Sequence, residues 1–512
     1  VWFDSAVASW ATLGFPGERE AFEKYWPADF ITEGQDQTRG WFYSQLGASV
    51  IAFSRSPYRS VLMHGFALDS EGRKMSKSLG NVVAPEEVIE KAGVDVLRLY
   101  ILSANAPWDD LKFNWEGVKT VNRAVNILWN VYRFPLPYMI LDGYTPSEDR
   151  HGRFNPSRLL ENLGTMRHED RWILSRIATL TAEVDDAMRL CELHRATRAI
   201  SEFILEDLSR WYVQLVRPRM WLEGESPEKQ QAYDTIYFAM RRLIQLLSPF
   251  TPHLSEEIYR NLRLSGDPES VHMLDWPGAD PALTDTDLEA AMSLVRSFDD
   301  AVANARQAAK RKLRWPVAEC VVETTSSEVA RALRNLGAIA RNRANAKLVT
   351  VVEGSWDRMG IRAEPVMKAI GPAFGKDAPK VRKLIEGSDG RALREALERA
   401  PMEGGTVYVD GRLTPELEGE GYAREVIRRL QEMRRQLSLA VEEFIVADVL
   451  IRDARIASLV QSRWADRIQG EVRARSLSIR MPGEAGPAGK GELENSWEIE
   501  GIEVRTAVSR AP

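Results

Sequence analysis

The chain has 512 residues, with a hydrophobic content of 44% and a charged content of 28%, which are ordinary values for a globular protein. At about 150 residues per domain, this length predicts three or four domains rather than one core. The formal net charge of −6 argues against a uniformly basic coat for nucleic acid, although a local basic surface stays open. No apolar run approaches the roughly 20 residues needed to span a bilayer, so we expect no membrane partner.

The two cysteines, Cys191 and Cys320, lie far apart in the sequence. Their number and spacing exclude a disulfide framework and an all-cysteine metal cluster, and no Cys-x-x-Cys pair is present to build a zinc site. We therefore predict no metal site in this chain. A cysteine-poor composition is typical of proteins of the reducing cytoplasm, where we expect this one to act.

The first 115 residues alternate between strand and helix patterns. "DFITEG" (29–34) indicates a short strand, and "DQTRGWFYSQLGASVIAF" (36–53) a helix with Asp36 at its start. "VLMHGFALD" (61–69) indicates a buried strand, and "PEEVIEKAG" (85–93) a short helix that starts with Pro and ends at Gly. This order is typical of a parallel α/β sheet.

Beyond residue 115 the pattern changes to apolar residues at three- and four-residue spacing, which predicts a helical bundle of about 200 residues. From about residue 317, short apolar strands such as "VAECVVETT" and "FIVADVLIR" mix with helices, one of them predicted over 420–437. The expected fold is therefore multi-domain α/β plus α, closed by a small α+β region.

One loop, "GRKMSKSLGN" (72–81), has the composition that a phosphate-binding loop needs. Its two glycines allow backbone conformations closed to other residues, its serines supply hydroxyl donors, and its lysines supply mobile cations. Composition alone favours an exposed linker, because clusters of Lys, Ser and Gly usually form exposed linkers. The residues concerned are Gly72, Lys74, Ser76, Lys77, Ser78 and Gly80.

The order Lys-Met-Ser-Lys-Ser in this loop resembles the second signature of class I aminoacyl-tRNA synthetases, and the strand before it and helix after it are the expected context. Four segments are similar to the isoleucyl-tRNA synthetase family in particular. They are "VWFDS" (1–5), "EGQDQTRGWF" (33–42), "HGFALDSEGRKMSKSLGNVV" (64–83) and "GVDVLRLYILSANAPWDD" (93–110).

Downstream segments extend this resemblance over nearly all of the chain. "SPFTPHLSEEIY" (248–259) resembles the anticodon-binding helical domain of the family. "GPAFGKDAPKV" (371–381) and "GYAREVIRRLQEMRR" (421–435) resemble the C-terminal region of its archaeal and eukaryotic-like subtype. The likeness is strongest in 1–115 and weakest in 440–512.

The resemblance implies a domain order. Residues 1–115 would form the C-terminal half of a Rossmann-like, parallel-sheet catalytic domain, and residues 116–165 a helical stem-contact connection. Residues 166–316 would form an all-α anticodon-binding bundle, and residues 317–512 a small α+β C-terminal region.

The activity that the resemblance implies is the ATP-dependent ligation of isoleucine to its tRNA through an isoleucyl-adenylate. The expected ligands are ATP with Mg²⁺, isoleucine and the isoleucine tRNA, and the expected state is a monomer. Two alternatives stay open: a non-catalytic tRNA-binding module, and a ligase for valine.

Site residues follow from the same resemblance. Lys74 and Lys77 would be catalytic, stabilising charge on the triphosphate. The expected ATP-binding residues are Lys77, Met75, Ser76, Ser78 and His64. The expected adenylate-binding residues are Glu33, Gly34, Asp36, Gln37 and Trp41, with Trp41 beside the isoleucine side chain. Structural alternatives are an N-cap role for Asp36, a core role for Trp41 and a buried, hydrogen-bonded His64.

The chain departs from the family pattern in three ways. Its first signature, His-x-Gly-His, is absent from 1–512, and we expect it to precede Val1 together with the editing domain, so that the chain is a C-terminal fragment. Ala6 stands where the family pattern has Gly. Without sheet neighbours, residues 1–115 alone are expected to expose an apolar sheet edge and to be unstable, while the bundle folds independently.

Two basic stretches are candidates for RNA contact. "RQAAKRKLRWP" (306–316) contains five basic residues and Trp315, and "RNRANAK" (341–347) adds further cations. Basic side chains position an RNA backbone and aromatic rings stack on unpaired bases. A solvated helix face is the alternative interpretation.

Overall fold

A computed structural model describes residues 1–221, 224–308, 311–356, 378–380, 399–410, 413–484 and 491–511. These residues form two compact units, 1–284 and 285–512. Within the described ranges, no helix is long and apolar enough to cross a membrane. Most of the predicted motif at 371–381 lies outside the described residues.

The N-terminal part of the first unit mixes short parallel sheets with helices. β1 pairs with β2 in parallel, with Ala28 opposite Tyr58 and Gly34 opposite His64, and β3 pairs in parallel with β4. The mixed α/β class predicted from the sequence is therefore confirmed. The helices are α1 (Trp2–Ala6), α2 (Ala8–Ala11), α3 (Arg19–Tyr25), α4 (Trp41–Phe53), α5 (Pro85–Ala92) and α6 (Val94–Ala104). The strands are β1 (Ala28–Gly34), β2 (Tyr58–His64), β3 (Ala67–Leu68) and β4 (Leu111–Lys112).

The single buried strand predicted over 61–69 is wrong. The structure has two strands, β2 and β3, separated at Gly65, and Val61 in β2 is 42% exposed. The Gly65 amide donates to the Pro107 carbonyl at 3.0 Å, and a Cβ at this position would lie 2.3 Å from the carbonyl oxygen of Asp109. The chain bends here because a glycine lets a neighbouring backbone approach that closely.

The helix predicted from residue 36 begins later. Residues Gln35–Arg39 form a 3₁₀ turn, and α4 starts at Trp41. The Trp41 amide donates to Oε1 of Gln37 at 2.7 Å, so the side chain of Gln37 satisfies the first turn of the helix. The predicted N-cap role of Asp36 is therefore wrong.

The rest of the first unit is helical, as the periodicity predicted. Residues Phe203–Tyr212, between α11 and α12, have π-helical hydrogen bonding. The core contains fully buried aromatic side chains, among them Trp172, Tyr212 and Tyr233. The helices are α7 (Trp115–Arg133), α8 (Leu136–Leu141), α9 (Ser157–Asn162), α10 (His168–Arg189), α11 (Leu193–Glu202), α12 (Val213–Trp221), α13 (Pro227–Leu247) and α14 (Pro252–Leu262).

The described residues of the second unit form two four-stranded sheets and several helices. One sheet has the strand order β6-β5-β8-β7 and the other β10-β9-β12-β11. The predicted helix over 420–437 starts earlier, at Pro415, because the Thr414 hydroxyl accepts from the Leu417 amide and caps it. The helices are α15 (Thr286–Ala308), α16 (Ser327–Asn335), α17 (Gly337–Ala344), α18 (Pro415–Gln436) and α19 (Ala454–Glu471). The strands are β5 (Val317–Thr324), β6 (Ala346–Glu353), β7 (Arg399–Met402), β8 (Gly405–Val409), β9 (Ile445–Ile451), β10 (Ala474–Arg480), β11 (Leu493–Ile499) and β12 (Ile502–Arg510).

Candidate active site

A pocket of about 370 Å³ opens between α1, the end of β1 and the start of α4. Its lining combines two indole rings with a carboxylate, an amide and two hydroxyls. Such a mixture suits a small ligand that has an apolar side chain and a charged or polar end. The lining residues are Trp2, Ser5, Glu33, Gln37, Trp41 and Ser44.

The indole ring of Trp41 is held in the pocket wall by α1. Its Nε1 donates to the Ser5 carbonyl at 2.9 Å, and its backbone amide is fixed by Gln37. Trp41 is half-buried rather than part of a closed core, so the plain core role is wrong. A Cβ at Gly40 would lie 2.5 Å from Oε1 of Gln37, so a larger residue there would displace the end of the side chain that caps the helix.

Sequence reasoning missed three of the lining residues: Trp2, Ser5 and Ser44. Trp2 and Ser5 belong to "VWFDS", a segment used to identify the family but given no role. Trp2 is 77% exposed, although its bulk would normally favour burial. The signal available in the sequence was a Trp within a family motif, whereas its exposure is visible only in the structure. Ser44 offered none, since a serine one turn into a helix is unremarkable.

The ends of β1 and β2 bring a second group of predicted residues together. Gly34 pairs with His64 across the two strands, and a Cβ on Gly34 would lie 2.7 Å from Oδ1 of Asp36. His64 is exposed, with its Nδ1 2.9 Å from the carbonyl of Gly65, so the alternative of a buried histidine is wrong. The carboxyl ends of parallel strands are where α/β sheets bind ligands.

The Lys-Met-Ser-Lys-Ser loop follows β3 and lies on the surface. Lys74 and Lys77 are exposed, and neither ammonium group pairs with any residue that the structure describes. Met75, between them, packs against a buried cluster, which anchors the middle of the loop. The cluster consists of Val88, Val96, Tyr100, Phe113 and Val118.

The serines of the loop organise its tip. The hydroxyls of Ser76 and Ser78 are 3.1 Å apart, and Ser76 Oγ accepts from the amide of Leu79 at 3.3 Å. This bond caps a single 3₁₀ turn, Lys77–Leu79, which ends at Gly80 with φ +65°. The turn exposes Lys77 and places glycine where the backbone is left-handed.

A carboxylate at the start of the loop is fully ionised. Hydrogen bonds from the Asn81 side chain and the Arg73 backbone lower the pKa of Asp69 to about 2. The Asp69 carboxylate is therefore charged throughout the neutral pH range.

Two residues of the basic stretch 306–316 are unsuited to RNA contact. Arg306 is fully buried and donates to the backbone carbonyls of Ala344 and Lys312 at 2.9 and 2.6 Å. Trp315 is buried against Tyr422, with ring centroids 5.2 Å apart. Both serve the core of the second unit, so their predicted RNA role is wrong.

The remaining cations of these two stretches are mostly paired with carboxylates. Lys312 pairs with Glu500, and Arg314 lies 3.6 Å from Glu425. Arg343 pairs with Asp299 at 2.6 Å, and Lys347 with Glu420. Lys310 lies outside the described residues. A phosphate backbone would have to compete with these acidic partners. These ion pairs favour the alternative interpretation, in which the two basic stretches form faces exposed to solvent.

Two family models match the chain. Residues 1–114 match the family described as tRNA synthetases class I (I, L, M and V). Residues 170–322 match the family described as anticodon-binding domain of tRNA ligase. The first match contains the pocket. It also contains the Lys-Met-Ser-Lys-Ser loop (residues 72–81), which we call the lysine loop. Residues 1–114 are therefore similar to class I tRNA synthetases, and residues 170–322 to the anticodon-binding domain of a tRNA ligase.

Curated relatives match the whole chain and share one name, isoleucine–tRNA ligase. The relative from Methanoculleus marisnigri is 61% identical, that from Methanoregula boonei 58% and that from Methanospirillum hungatei 56%. Each alignment covers 100% of this chain but 51%, 52% and 51% of the respective relative. The chain thus spans about half the length of the curated relatives it matches.

Solved structures with partial similarity include two synthetases. One is the LeuRS of Agrobacterium radiobacter in a ternary complex with tRNA and LeuAMS, at 20% identity, a TM-score of 0.42, and coverage of 54% of this chain and 33% of that one. Another is the methionyl-tRNA synthetase of Mycobacterium tuberculosis bound by methionyl-adenylate, at 24% identity, a TM-score of 0.42, and coverage of 54% and 55%.

Proposed function

We propose that this chain supplies the phosphate-side loop, the amino-acid pocket and the tRNA-binding parts of an isoleucine–tRNA ligase. The observation that carries the proposal is the pocket lined by Trp2, Glu33 and Trp41, within a region that matches the class I family. The identity of 61% to an isoleucine–tRNA ligase over the whole chain supports the choice of amino acid.

The proposed reaction has two steps. A carboxylate oxygen of isoleucine attacks the α-phosphorus of ATP, and pyrophosphate leaves with the electron pair of the broken P–O bond. A hydroxyl of the terminal tRNA ribose then attacks the carbonyl carbon, loses its proton, and AMP leaves. Both steps depend mainly on positioning and charge stabilisation. Mg²⁺ would arrive with the ATP phosphates, as is usual for this ion.

Each predicted residue has a role in this proposal. The ammonium groups of Lys74 and Lys77 stabilise the charge that develops on the triphosphate, which suits flexible cations that pair with no carboxylate in the part of the chain that the structure describes. Ser76, Ser78 and the backbone beside Met75 contact ATP from the same loop, and His64 contacts the nucleotide from the end of β2. These assignments rest on family resemblance and on the exposure of the loop.

The amino acid occupies the pocket. The indole rings of Trp2 and Trp41 offer apolar surface to the isoleucine side chain, and Glu33 accepts from the α-ammonium group. Gly34, Asp36 and Gln37 lie beside the adenylate. One methylene in an apolar pocket is worth only about 1–3 kcal/mol, a limit of which isoleucine–tRNA ligase is itself the usual example. The pocket alone therefore discriminates weakly against valine.

The proposal also assigns the domains. Catalytic residues occupy 1–115, a stem-contact connection 116–165, the anticodon-binding bundle 166–316 and a small α+β region 317–512. The match of 170–322 to an anticodon-binding family supports a bundle that holds the isoleucine tRNA. We further propose that the protein acts in the cytoplasm. We also propose that it is a monomer, which light scattering of the purified protein tests directly.

The test of the lysine role is isoleucine-dependent exchange of pyrophosphate into ATP, measured with the full-length gene product that contains residues 1–512. Lys77→Ala is expected to lower exchange by orders of magnitude while binding of the isoleucine tRNA persists. The matched control is Lys91→Ala, which removes an exposed lysine that pairs only with Glu87 among the described residues and lies over Trp115. Equal exchange in both variants would refute the role of Lys77.

The same assay separates the alternatives. Exchange stimulated by valine above isoleucine would identify the valine ligase. A protein that binds the isoleucine tRNA but supports no exchange with isoleucine, valine or leucine would be the non-catalytic binding module. Trp41→Ala is expected to raise the KM for isoleucine and leave the KM for ATP unchanged, because Trp41 lines the amino-acid pocket.

A further inference from the structure

The base of the lysine loop is closed by one carboxylate. Asp69, the residue after β3, is buried, and its two oxygens together accept four hydrogen bonds. Oδ1 accepts from the amides of Glu71 and Arg73 at 3.0 and 2.8 Å. Oδ2 accepts from Arg73 Nε and from Asn81 Nδ2, both at 2.9 Å. The bond to Asn81 spans twelve residues and joins the two ends of the loop.

Asn81 extends this connection into the loop. Its Nδ2 also donates to the carbonyl of Lys74 at 3.2 Å, and its Oδ1 accepts from the amide of Ser76 at 2.9 Å. The backbone on both sides of Met75 is therefore fixed by one amide group. A side chain that uses both its donor and its acceptor on different backbone positions holds them at a set separation.

The arrangement also keeps the lysines available for a substrate. An Asp69 carboxylate without other partners would compete with a triphosphate for Lys74 or Lys77. Asp69 does not, because its four acceptor positions are occupied and the guanidinium of Arg73 offsets its charge. Its low pKa, set first by Asn81, agrees with this saturation.

We propose that Asp69 and Asn81 are positioning residues, a clamp that holds the backbone of Lys74 and Ser76 so that Lys74 and Lys77 are presented to the triphosphate. This rests on the proposed function of the loop. The clamp acts through the lysine loop and contacts no substrate itself. Its expected contribution is to the turnover of adenylate formation, since a displacement of about 1 Å at a reacting group can cost a hundredfold in rate.

Limited trypsin digestion tests the clamp without any activity measurement. In the full-length gene product, cleavage after Lys74 and Lys77 is followed by mass spectrometry of the new N-termini at Met75 and Ser78. Asn81→Ala should raise both cleavage rates about tenfold or more, because the loop opens locally more often. The control is Asn126→Ala, which removes an exposed amide bonded only to Asn122 among the described residues, and it should leave both rates unchanged.

Pyrophosphate exchange tests the positioning role. Asn81→Ala should lower the kcat of exchange by about ten- to a hundredfold and leave the KM for isoleucine within about twofold, because the pocket is built from other elements. A merely structural residue would instead change both constants or the melting temperature. Thermal melting of each variant identifies any general loss of fold.

A swapped pair tests whether the two side chains act through direct contact. Asn81→Asp alone places two carboxylates together and should raise trypsin cleavage. Adding Asp69→Asn removes the repulsion between the two carboxylates and restores a donor and an acceptor between positions 69 and 81, whereas the new carboxylate at position 81 cannot donate to the Lys74 carbonyl. The double variant should therefore be cleaved by trypsin more slowly than Asn81→Asp but faster than the unchanged protein. Cleavage as fast as in Asn81→Asp would overturn the direct contact between the two side chains on which the clamp depends.

The outcomes separate the clamp from the function on which it rests. If Lys77→Ala leaves exchange unchanged, the proposed function of the loop fails. If Lys77→Ala abolishes exchange while Asn81→Ala alters neither exchange nor cleavage, only the clamp is overturned. Faster cleavage with an unchanged kcat would also overturn the positioning role.

Discussion

A buried ion pair in the helical bundle offers a sharp test of what holds the first unit together. Asp170, on α10, is fully buried and accepts from both terminal nitrogens of Arg219 on α12, each at 2.8 Å. The Tyr212 hydroxyl donates to the same carboxylate at 2.8 Å. The perturbation is Asp170→Asn, which keeps the size of the side chain and removes its charge.

The structure indicates how much stability Asp170→Asn should lose. The side chain of Arg219 is 8% exposed, so the variant leaves an almost fully desolvated guanidinium without its bidentate partner. Removing one partner of a buried pair costs about 3–5 kcal/mol. Glu169 lies 3.3 Å from Arg219 and can take over part of the pairing, which places the expected cost at the lower end of that range.

The carboxylate of Glu169 makes the stability of the fold depend on pH. Burial, reinforced by the charge of Asp170, raises the pKa of Glu169 above its ordinary value. The folded protein therefore holds this proton more tightly than the unfolded chain. The protonated Glu169 therefore contributes to the stability of the fold. This contribution is fully present below the ordinary pKa of a glutamate and is lost as the pH rises through the raised pKa of Glu169. Glu169→Gln should remove this component of the pH dependence.

Hydrogen exchange of α10 and α12, followed by mass spectrometry on the whole chain, measures the effect locally. Exchange of their slowest amides in Asp170→Asn should accelerate about a hundredfold or more, since each 1.4 kcal/mol is about a factor of ten. Glu87→Gln breaks the exposed pair with Lys91 and should change exchange in α5 by less than about fivefold. An acceleration in Asp170→Asn no larger than that of this control would refute the reasoning.

Two further predictions concern single groups. Asp95→Ala should destabilise the start of α14 by about 0.5–2 kcal/mol, read as faster exchange of the Leu254 amide, because Asp95 accepts from that amide at 2.6 Å and serves as its cap. A maleimide at pH 7.5 should label Cys191 in the native chain and Cys320 only after denaturation, since burial raises the pKa of Cys320 to about 12 and its thiol is fully enclosed. Rapid native labelling of both thiols would contradict this.

Elements with complete local signals were predictable from the sequence. α5 runs from Pro85 to Ala92, with proline in its first turn and Gly93 beyond its end at φ +91°, as its sequence indicated. The start of α4 was not predictable in this way, because its capping group is the side chain of Gln37, four residues before Trp41, rather than a residue type typical of an N-cap. The break at Gly65 depends on a backbone more than forty residues later.

The candidate site shows the same division. The lysine loop could be predicted from the sequence, because its residue types and their order indicate phosphate binding without knowledge of the fold. The burial of Arg306 and Trp315 could not be predicted. A stretch of basic and aromatic residues has the same sequence whether its arginine donates to carbonyls inside a core or faces solvent. Trp2 was missed for the converse reason: its exposure, rather than its identity, indicates a site.

Helix α6 explains why the region of the lysine loop and the helical bundle form one compact unit. Each side supplies the terminal hydrogen bonds that the other lacks. Asp95 of α6 accepts from the first turn of α14, while Arg198 of α11 donates to the carbonyls of Ser103 and Ala104 at the end of α6, at 2.7 and 2.6 Å. Helix ends are costly to bury without such partners. The domain boundary proposed at residue 115 therefore divides the sequence but not the hydrogen bonding. The hydrogen bonds at the ends of α6 and α14 join residues on both sides of this boundary.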